Sequence, residues 1–247
     1  MQFDEWRPAY EAILADFGYD RVSDERARDE LATIVGHPSD ADEGVRESQP
    51  GRRAIHPLGL PDLQLAGTVA ICGAAPSLAE ELSILTDADR VVAASTAAVV
   101  LREAGIGVDC MVTDLDGDPA TARSLTAAGT PVAVHAHGDN RPLLAETIPQ
   151  LTHRYVLPTT QAEPRPPVIN LGGFTDGDRA AFLADALGAD RLVFPGWDFD
   201  DPSVAPIKAK KLTWAERLLS WLERRRGDRF AVLDGRRARI DLSGFPQ

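Results

Sequence analysis

Cys110-Met111-Val112-Thr113-Asp114-Leu115-Asp116-Gly117-Asp118-Pro119 reads as a strand that stops and hands over to a helix. Cys110, Met111 and Val112 form a short apolar run with the character of a buried strand. Residues two apart in an extended chain point to the same side, so Asp114 and Asp116 are expected to aim together while Leu115 turns back toward the core. Two adjacent carboxylates repel unless a cation or a shared proton resolves the conflict. Mg²⁺ fits, being a hard, oxygen-seeking ion often held by one or two carboxylates plus substrate phosphates. Gly117 permits a tight turn, Asp118 can cap the next helix, and Pro119 suits its first position. An acidic strand end exposed to water is the plainer alternative, and metal is the stronger reading.

Around this stretch, from Thr68 onward, short apolar runs alternate with helical patterns. That alternation predicts an α/β fold, a mainly parallel Rossmann-like sheet with helices on both faces. Strands are expected at 68–72, 90–94, 109–113, 131–135, 153–157, 167–170 and 191–194. Helices are expected at 77–85, 96–104, 120–128, 143–148, 176–186 and 213–226, with a terminal hairpin from 230–233 and 238–240. Upstream, Trp6, Tyr10, Ile13, Leu14 and Phe17 recur at helical spacing up to a stop at Gly18, and a second helix is expected from Asp24 to Val35. Gly36 to Leu60 is rich in Gly, Pro, Asp, Ser and Arg and reads as a loop or arm, in which His37 and His56 are solvated. Residues 1–60 are thus expected to form an N-terminal helical extension and loop, and 61–247 the α/β domain.

In such sheets ligands bind at the carboxyl ends of the strands. The first strand ends in Gly73-Ala74-Ala75-Pro76-Ser77-Leu78, a turn expected to offer free N–H groups and a helix N-terminus to an anion. It is neither a dinucleotide fingerprint nor a Walker loop, and an ordinary turn is the alternative. His135 and His137 share a side if their strand continues, with Asp139 and Asn140 following. Imidazole can ligate metal or, protonated, neutralise phosphate; a zinc site would need a third strong ligand, and none is evident. Gly172 and Gly173 can admit close backbone approach, while Thr175 and Asp178 have the spacing of a capping box, leaving Asp178 between cap and ligand. Trp197 and Asp198 close the last strand, where the indole can stack on a flat ring.

Composition narrows the function classes. A net charge of −12 argues against nucleic acid or an anionic membrane as partner and fits solubility in a high-salt cytoplasm. No apolar run is long enough to cross a bilayer and the acidic N-terminus is unlike a signal peptide, so a cytoplasmic location is expected. Cys72 and Cys110 sit in apolar runs and read as buried thiols. Of 26 basic residues only Lys208, Lys210 and Lys211 are lysines, which marks the cluster as a phosphate clamp more than a chance grouping.

Taken together, these motifs resemble the archaeal 6-hydroxymethyl-7,8-dihydropterin pyrophosphokinases of the MptE-like type, relatives of the thiamin pyrophosphokinases. The resemblance is carried by Phe3-Asp4-Glu5-Trp6, Asp16-Phe17-Gly18-Tyr19, Gly73 with Pro76-Ser77-Leu78, Val112-Thr113-Asp114-Leu115-Asp116-Gly117, His135-Ala136-His137-Gly138-Asp139-Asn140, and Gly173-Phe174-Thr175-Asp176-Gly177-Asp178-Arg179. It implies Mg²⁺-dependent transfer of diphosphate from ATP to the hydroxymethyl group of a reduced pterin, with release of AMP, in folate or tetrahydromethanopterin synthesis. The residues then expected at the site are Asp114, Asp116 and Asp139 for the metal, with His137 and Lys208 in catalysis. Gly73, Ser77, Thr113, Gly173, Thr175 and Lys211 are expected to hold ATP, and Asn140, Trp197 and Asp198 the pterin. A thiamin-type diphosphokinase or a non-catalytic nucleotide-binding module are the alternatives, and a homo-oligomer is left open.

Overall fold

The computed structural model describes residues 1–37 and 57–246. Most of the arm expected over 36–60, His56 included, lies outside the described residues. The elements run, in chain order, α1 (Phe3–Phe17), α2 (Arg21–Val35), β1 (Gly67–Cys72), β2 (Arg90–Ala94), α3 (Ala97–Glu103), β3 (Cys110–Thr113), α4 (Pro119–Ala128), β4 (Val132–Ala136), α5 (Arg141–Thr147), β5 (Val156–Thr160), α6 (Asp176–Ala186), β6 (Ala189–Val193) and α7 (Pro206–Arg226). The pairings β1–β2, β1–β6, β3–β4 and β4–β5 are parallel, and the α/β class read from the alternating pattern is the class observed.

The chain forms two compact units: Met1–Tyr19, Leu65–Val108 and Leu171–Gln247 make one, Asp20–Gln64 and Asp109–Asn170 the other. In the first, β1 lies between β2 and β6, with Ile71 opposite Val92 and Val69 opposite Leu192. Val69, Ala70, Ile71 and Cys72 are all buried, the continuous apolar run expected of a strand covered on both faces. Trp6 of α1 is buried against Phe182 of α6 and Trp221 of α7, with ring centroids 6.4 and 6.5 Å away. Gly18 stops α1 in a left-handed cap, φ 69°, as its position predicts.

In the second unit β4 lies between β3 and β5, with Val112 opposite Ala133 and His135 opposite Thr159. Asp20 caps α2 by accepting from the Val22 and Ser23 amides, so the helix starts at Arg21, three residues before the expected start at Asp24. α4 begins as read, with Asp118 accepting from Ala120 and Thr121 and Pro119 in the first turn.

Several expectations are corrected. The helix expected at 77–85 is two 3-10 segments, Pro76–Ala79 and Leu82–Asp87. Leu78 and Leu85 are their only buried residues, too sparse a stripe to hold an α-helix in place. The strand expected at 167–170 makes only isolated bridges, Thr159 to Ile169 and Arg165 to Val168; Pro166 and Pro167 have no N–H to give a ladder. The strand expected from His153 begins at Val156, because His153–Tyr155 is a 3-10 turn whose histidine ring is held at the Ile148 and His37 carbonyls. The terminal hairpin is instead a pair of 3-10 turns, Ala231–Leu233 and Arg237–Arg239, in which Arg237 bonds the Glu223 carboxylate on α7. Finally, α7 starts at Pro206, not at 213, which puts all three lysines on the helix.

Candidate functional site

In the second unit, β3 ends at Thr113, and the chain does not stay extended through Asp116. Leu115 takes φ 73°, rare for a side chain branched at Cγ, and is fully buried. The Thr113 hydroxyl accepts the Leu115 N–H at 2.9 Å, and Asp114 Oδ1 accepts the Asp116 N–H at 3.1 Å. Strand alternation is therefore replaced by an acidic turn, with Leu115 as its buried pin. Thr113, expected to touch ATP, is buried and holds this turn.

Asp114 is mostly buried, and its Oδ2 lies 3.4 Å from His137 Nε2 just past β4. His135 and His137 do share a side, with ring centroids 6.3 Å apart, but they are not equivalent. His135 is buried, its Nδ1 at 3.1 Å from the Thr159 hydroxyl, which itself donates to the Val134 carbonyl. With that hydroxyl proton committed, His135 donates from Nδ1, a structural role. His137 is the half-buried member, next to the acidic turn. Asn140 is buried: its amide donates to the Asp114 carbonyl at 2.8 Å and the His135 carbonyl at 2.7 Å, and its oxygen accepts the His137 N–H at 3.0 Å. The whole Asn140 amide is thus engaged in tying the two strand ends together. Asp116 and Asp139 are exposed.

Among the described residues no group of three His, Cys, Asp or Glu side chains is arranged to hold a metal by itself. The oxygen-donor chemistry of Asp114 and Asp116 still fits Mg²⁺, which takes one or two carboxylates and completes its shell with water and phosphate. Cys72 and Cys110 are buried, and burial pushes their thiols up to about 12, so both are protonated near neutrality.

In the first unit, the Gly73 and Ala75 amides do not face solvent as an anion cradle. They donate to the Pro195 and Gly196 carbonyls at 2.9 and 3.0 Å. A Cβ on Gly73 would stand 2.3 Å from the Gly196 oxygen, so glycine is required by the close crossing of two strand-end loops. Ser77 follows on a 3-10 turn, its buried hydroxyl oxygen without a hydrogen-bond partner among the described residues. Trp197 donates to the Ile71 carbonyl at 2.8 Å and meets Phe194 edge-on at 5.6 Å. Gly177 packs so closely on its ring that a Cβ there would lie 2.7 Å away. The indole thus joins the loops around it, and Asp198 beside it is exposed.

Gly173 has φ 92°, and a Cβ would meet the Arg179 backbone at 2.6 Å. Asp178 is a cap: buried, it accepts from the Phe174 amide, from the Thr175 amide at 3.0 Å and from the Thr175 hydroxyl at 2.6 Å. Burial pushes its carboxyl above the usual range, against the pull of those donors. On α7 the lysines divide. Lys210 pairs with Asp16 at 2.9 Å and lies over the Phe17 ring at 4.6 Å, whereas Lys208 is exposed and the Lys211 ammonium stands 6.0 Å from the Phe174 ring centre.

Sequence reasoning passed over Asp24, Gln161 and Ser95. Asp24 is buried in the second unit, with hydrogen-bond partners 114 and 137 residues further along, and no local pattern marks it. Ser95, just past β2, has φ 49°; Ser95 and Leu115 are the only non-glycine residues with positive φ among the described residues, and each follows a strand end.

A family model described as 6-hydroxymethylpterin diphosphokinase MptE-like matches residues 60–203. Three archaeal proteins named 6-hydroxymethyl-7,8-dihydropterin pyrophosphokinase are similar over nearly the whole chain. That of Methanothermobacter thermautotrophicus is 36% identical, covering 91% of this chain and 96% of its own. That of Pyrococcus furiosus is 36% identical over 90% and 95%, and that of Methanocaldococcus jannaschii 30% identical over 90% and 96%. With the acidic strand-end turn and the paired histidines in place, matches of this length and identity establish that the chain belongs to the MptE-like 6-hydroxymethylpterin diphosphokinase family.

Proposed function

We propose that this protein transfers the diphosphate of ATP to the hydroxymethyl group of 6-hydroxymethyl-7,8-dihydropterin, releasing AMP. The observation that carries the reading is the near full-length match to three proteins bearing that name. The Asp114 turn beside His137 supports it, because phosphoryl chemistry needs fixed anionic donors for a hard cation. Asp114 and Asp116 hold Mg²⁺, with Asp139 a further ligand directly or through water. The ion, when bound, neutralises charge on the transferring phosphates.

The remaining work is positioning and electrostatic stabilisation, since this reaction asks little covalent chemistry of a protein. Lys208 and Lys211, three apart on one helix face, hold phosphate oxygens. Ser77, whose hydroxyl has no partner among the described residues, donates to phosphate, and the Gly173 and Thr175 turn approaches the nucleotide. His137 acts in catalysis from its place beside the Asp114 carboxylate, and Asp198 supplies a carboxylate to the donors of the pterin ring. The product serves folate or tetrahydromethanopterin synthesis.

The test is a single assay of purified protein with Mg²⁺, ATP and the reduced pterin, with thiamin as a parallel acceptor. AMP and a diphosphorylated pterin are expected, with no turnover of thiamin. ADP with a monophosphorylated acceptor, or no pterin-dependent consumption of ATP, overturns the reading.

A further inference from the structure

The acidic turn is anchored from an element that carries none of the expected site residues. Asp24, in the first turn of α2 and only 3% exposed, presents one oxygen to the Gly138 N–H at 2.8 Å and the other to the Gln161 side-chain amide at 2.7 Å. Gln161 is itself buried at the end of β5, and its carbonyl accepts from Asn170 at 2.9 Å. Gly138 admits no side chain there, because a Cβ would lie 2.7 Å from the Ser23 Cβ. Gly138 sits between His137, which faces the Asp114 carboxylate, and Asn140, which grips the Asp114 carbonyl. The connections therefore run from Gln161 through Asp24 to Gly138, and from that loop to both ends of Asp114.

A buried carboxylate needs donors on both oxygens to be tolerated, and a helix cap could be made by a far less costly exposed residue such as Asp20, which already caps α2. We propose that Asp24 is a positioning residue: it fixes the His137–Asn140 loop, and through it the Asp114 turn, in the geometry that accepts the divalent cation. The proposal rests on the reading that Asp114 and Asp116 hold that cation. Partners that orient a metal ligand are worth about 10–100-fold in affinity or activity, which sets the expected scale.

The experiment measures Mn²⁺ binding by electron paramagnetic resonance beside steady-state kinetics, with thermal melting as a check on folding. Asp24→Ala should weaken Mn²⁺ binding and lower kcat by about tenfold or more, leaving KM for the pterin unchanged. Asp24→Asn, which sets an amide against the Gln161 amide, should show the same loss. Adding Gln161→Glu to it restores a donor facing an acceptor and the buried negative charge, and should recover binding and kcat to within about threefold. Native Mn²⁺ binding in Asp24→Ala, alongside its loss in Asp114→Asn, overturns the positioning role and leaves the metal reading standing. Native binding in Asp114→Asn and Asp116→Asn as well overturns both. Should Asp24→Ala fail to fold, Asp24→Asn with and without Gln161→Glu decides: a loss that Gln161→Glu does not repair overturns the proposal.

Discussion

Leu115 shows two opposing costs at one position. Its left-handed backbone, φ 73°, is worth about 1–2 kcal/mol of strain for an L-residue, while its side chain is fully buried. Replacing a buried leucine with a much smaller residue costs about 2–5 kcal/mol. Burial wins, so Leu115→Gly should destabilise by about 1–3 kcal/mol in denaturant melts, although glycine is the residue that the backbone alone would choose. Next to it, Asp116→Asn keeps the size of an exposed side chain and removes its charge. We expect the fold to be unchanged and kcat/KM to fall by about a hundredfold, about 2.7 kcal/mol. Near-native turnover at saturating Mg²⁺ would reduce the pair to a solvated strand end.

At the scale of elements, α7 separates lysines that the sequence could only group. Lys210 reaches α1, donating to the Asp16 carbonyl at 2.7 Å, and the Asp16 carboxylate also accepts from the buried Trp214 indole at 2.7 Å. The Trp214 and then the Lys210 hydrogen bonds hold the Asp16 carboxyl below its usual range. Lys210→Ala loses a partly exposed ion pair and a cation–π contact, about 1 kcal/mol. Asp16→Ala strands a buried indole N–H and should cost more, about 1–3 kcal/mol. Neither change should alter KM for ATP. Lys208→Ala and Lys211→Ala should do the reverse, weakening ATP binding or transfer about tenfold with melting temperature unmoved. Steady-state kinetics and melting curves on the four variants, at one fixed high salt concentration, make the comparison.

Over the whole molecule, 38 acidic against 26 basic residues leave a surplus of negative charge that carboxylate–arginine pairs partly contain. Arg236 joins Asp200, just beyond β6, to Glu216 of α7, and Arg239 also reaches Asp200. The hydrogen bond from Arg236 holds the Asp200 carboxyl at about 2, below the ~3.9 of an unpaired aspartate. A folded-state value below the unfolded one stabilises the fold above the unfolded value, and that contribution is lost as pH falls through the folded one. The melting-temperature gap between the native protein and Asp200→Asn should therefore be full at pH 6 and close between about pH 4 and pH 2. Because Asp200 is exposed, molar salt should narrow the gap at pH 6 too. A gap independent of pH would mean that the pairing carries no charge term. No helix among the described residues is long and apolar enough to cross a membrane.

The parallel α/β class is readable in the chain alone, because buried parallel strands must be short apolar runs and the helices between them periodic. So are the start of α4 at Asp118-Pro119 and the stop at Gly18, since each is a bond or a backbone preference within a few residues, whereas the Thr175–Asp178 spacing left Asp178 between cap and ligand until its hydrogen bonds made it a cap. The acidic pair and the paired histidines were legible as chemistry because they stand together in the chain. The folded arrangement is what shows which histidine is buried, that Asn140 ties strand ends together, that Gly73 serves a loop crossing, and that Lys210 belongs to Asp16. It alone brought Asp24 to Gly138 and Gln161. Each of these depends on partners tens to hundreds of residues away, and a hydrogen bond closed across that distance leaves no periodicity or spacing in the chain to be read.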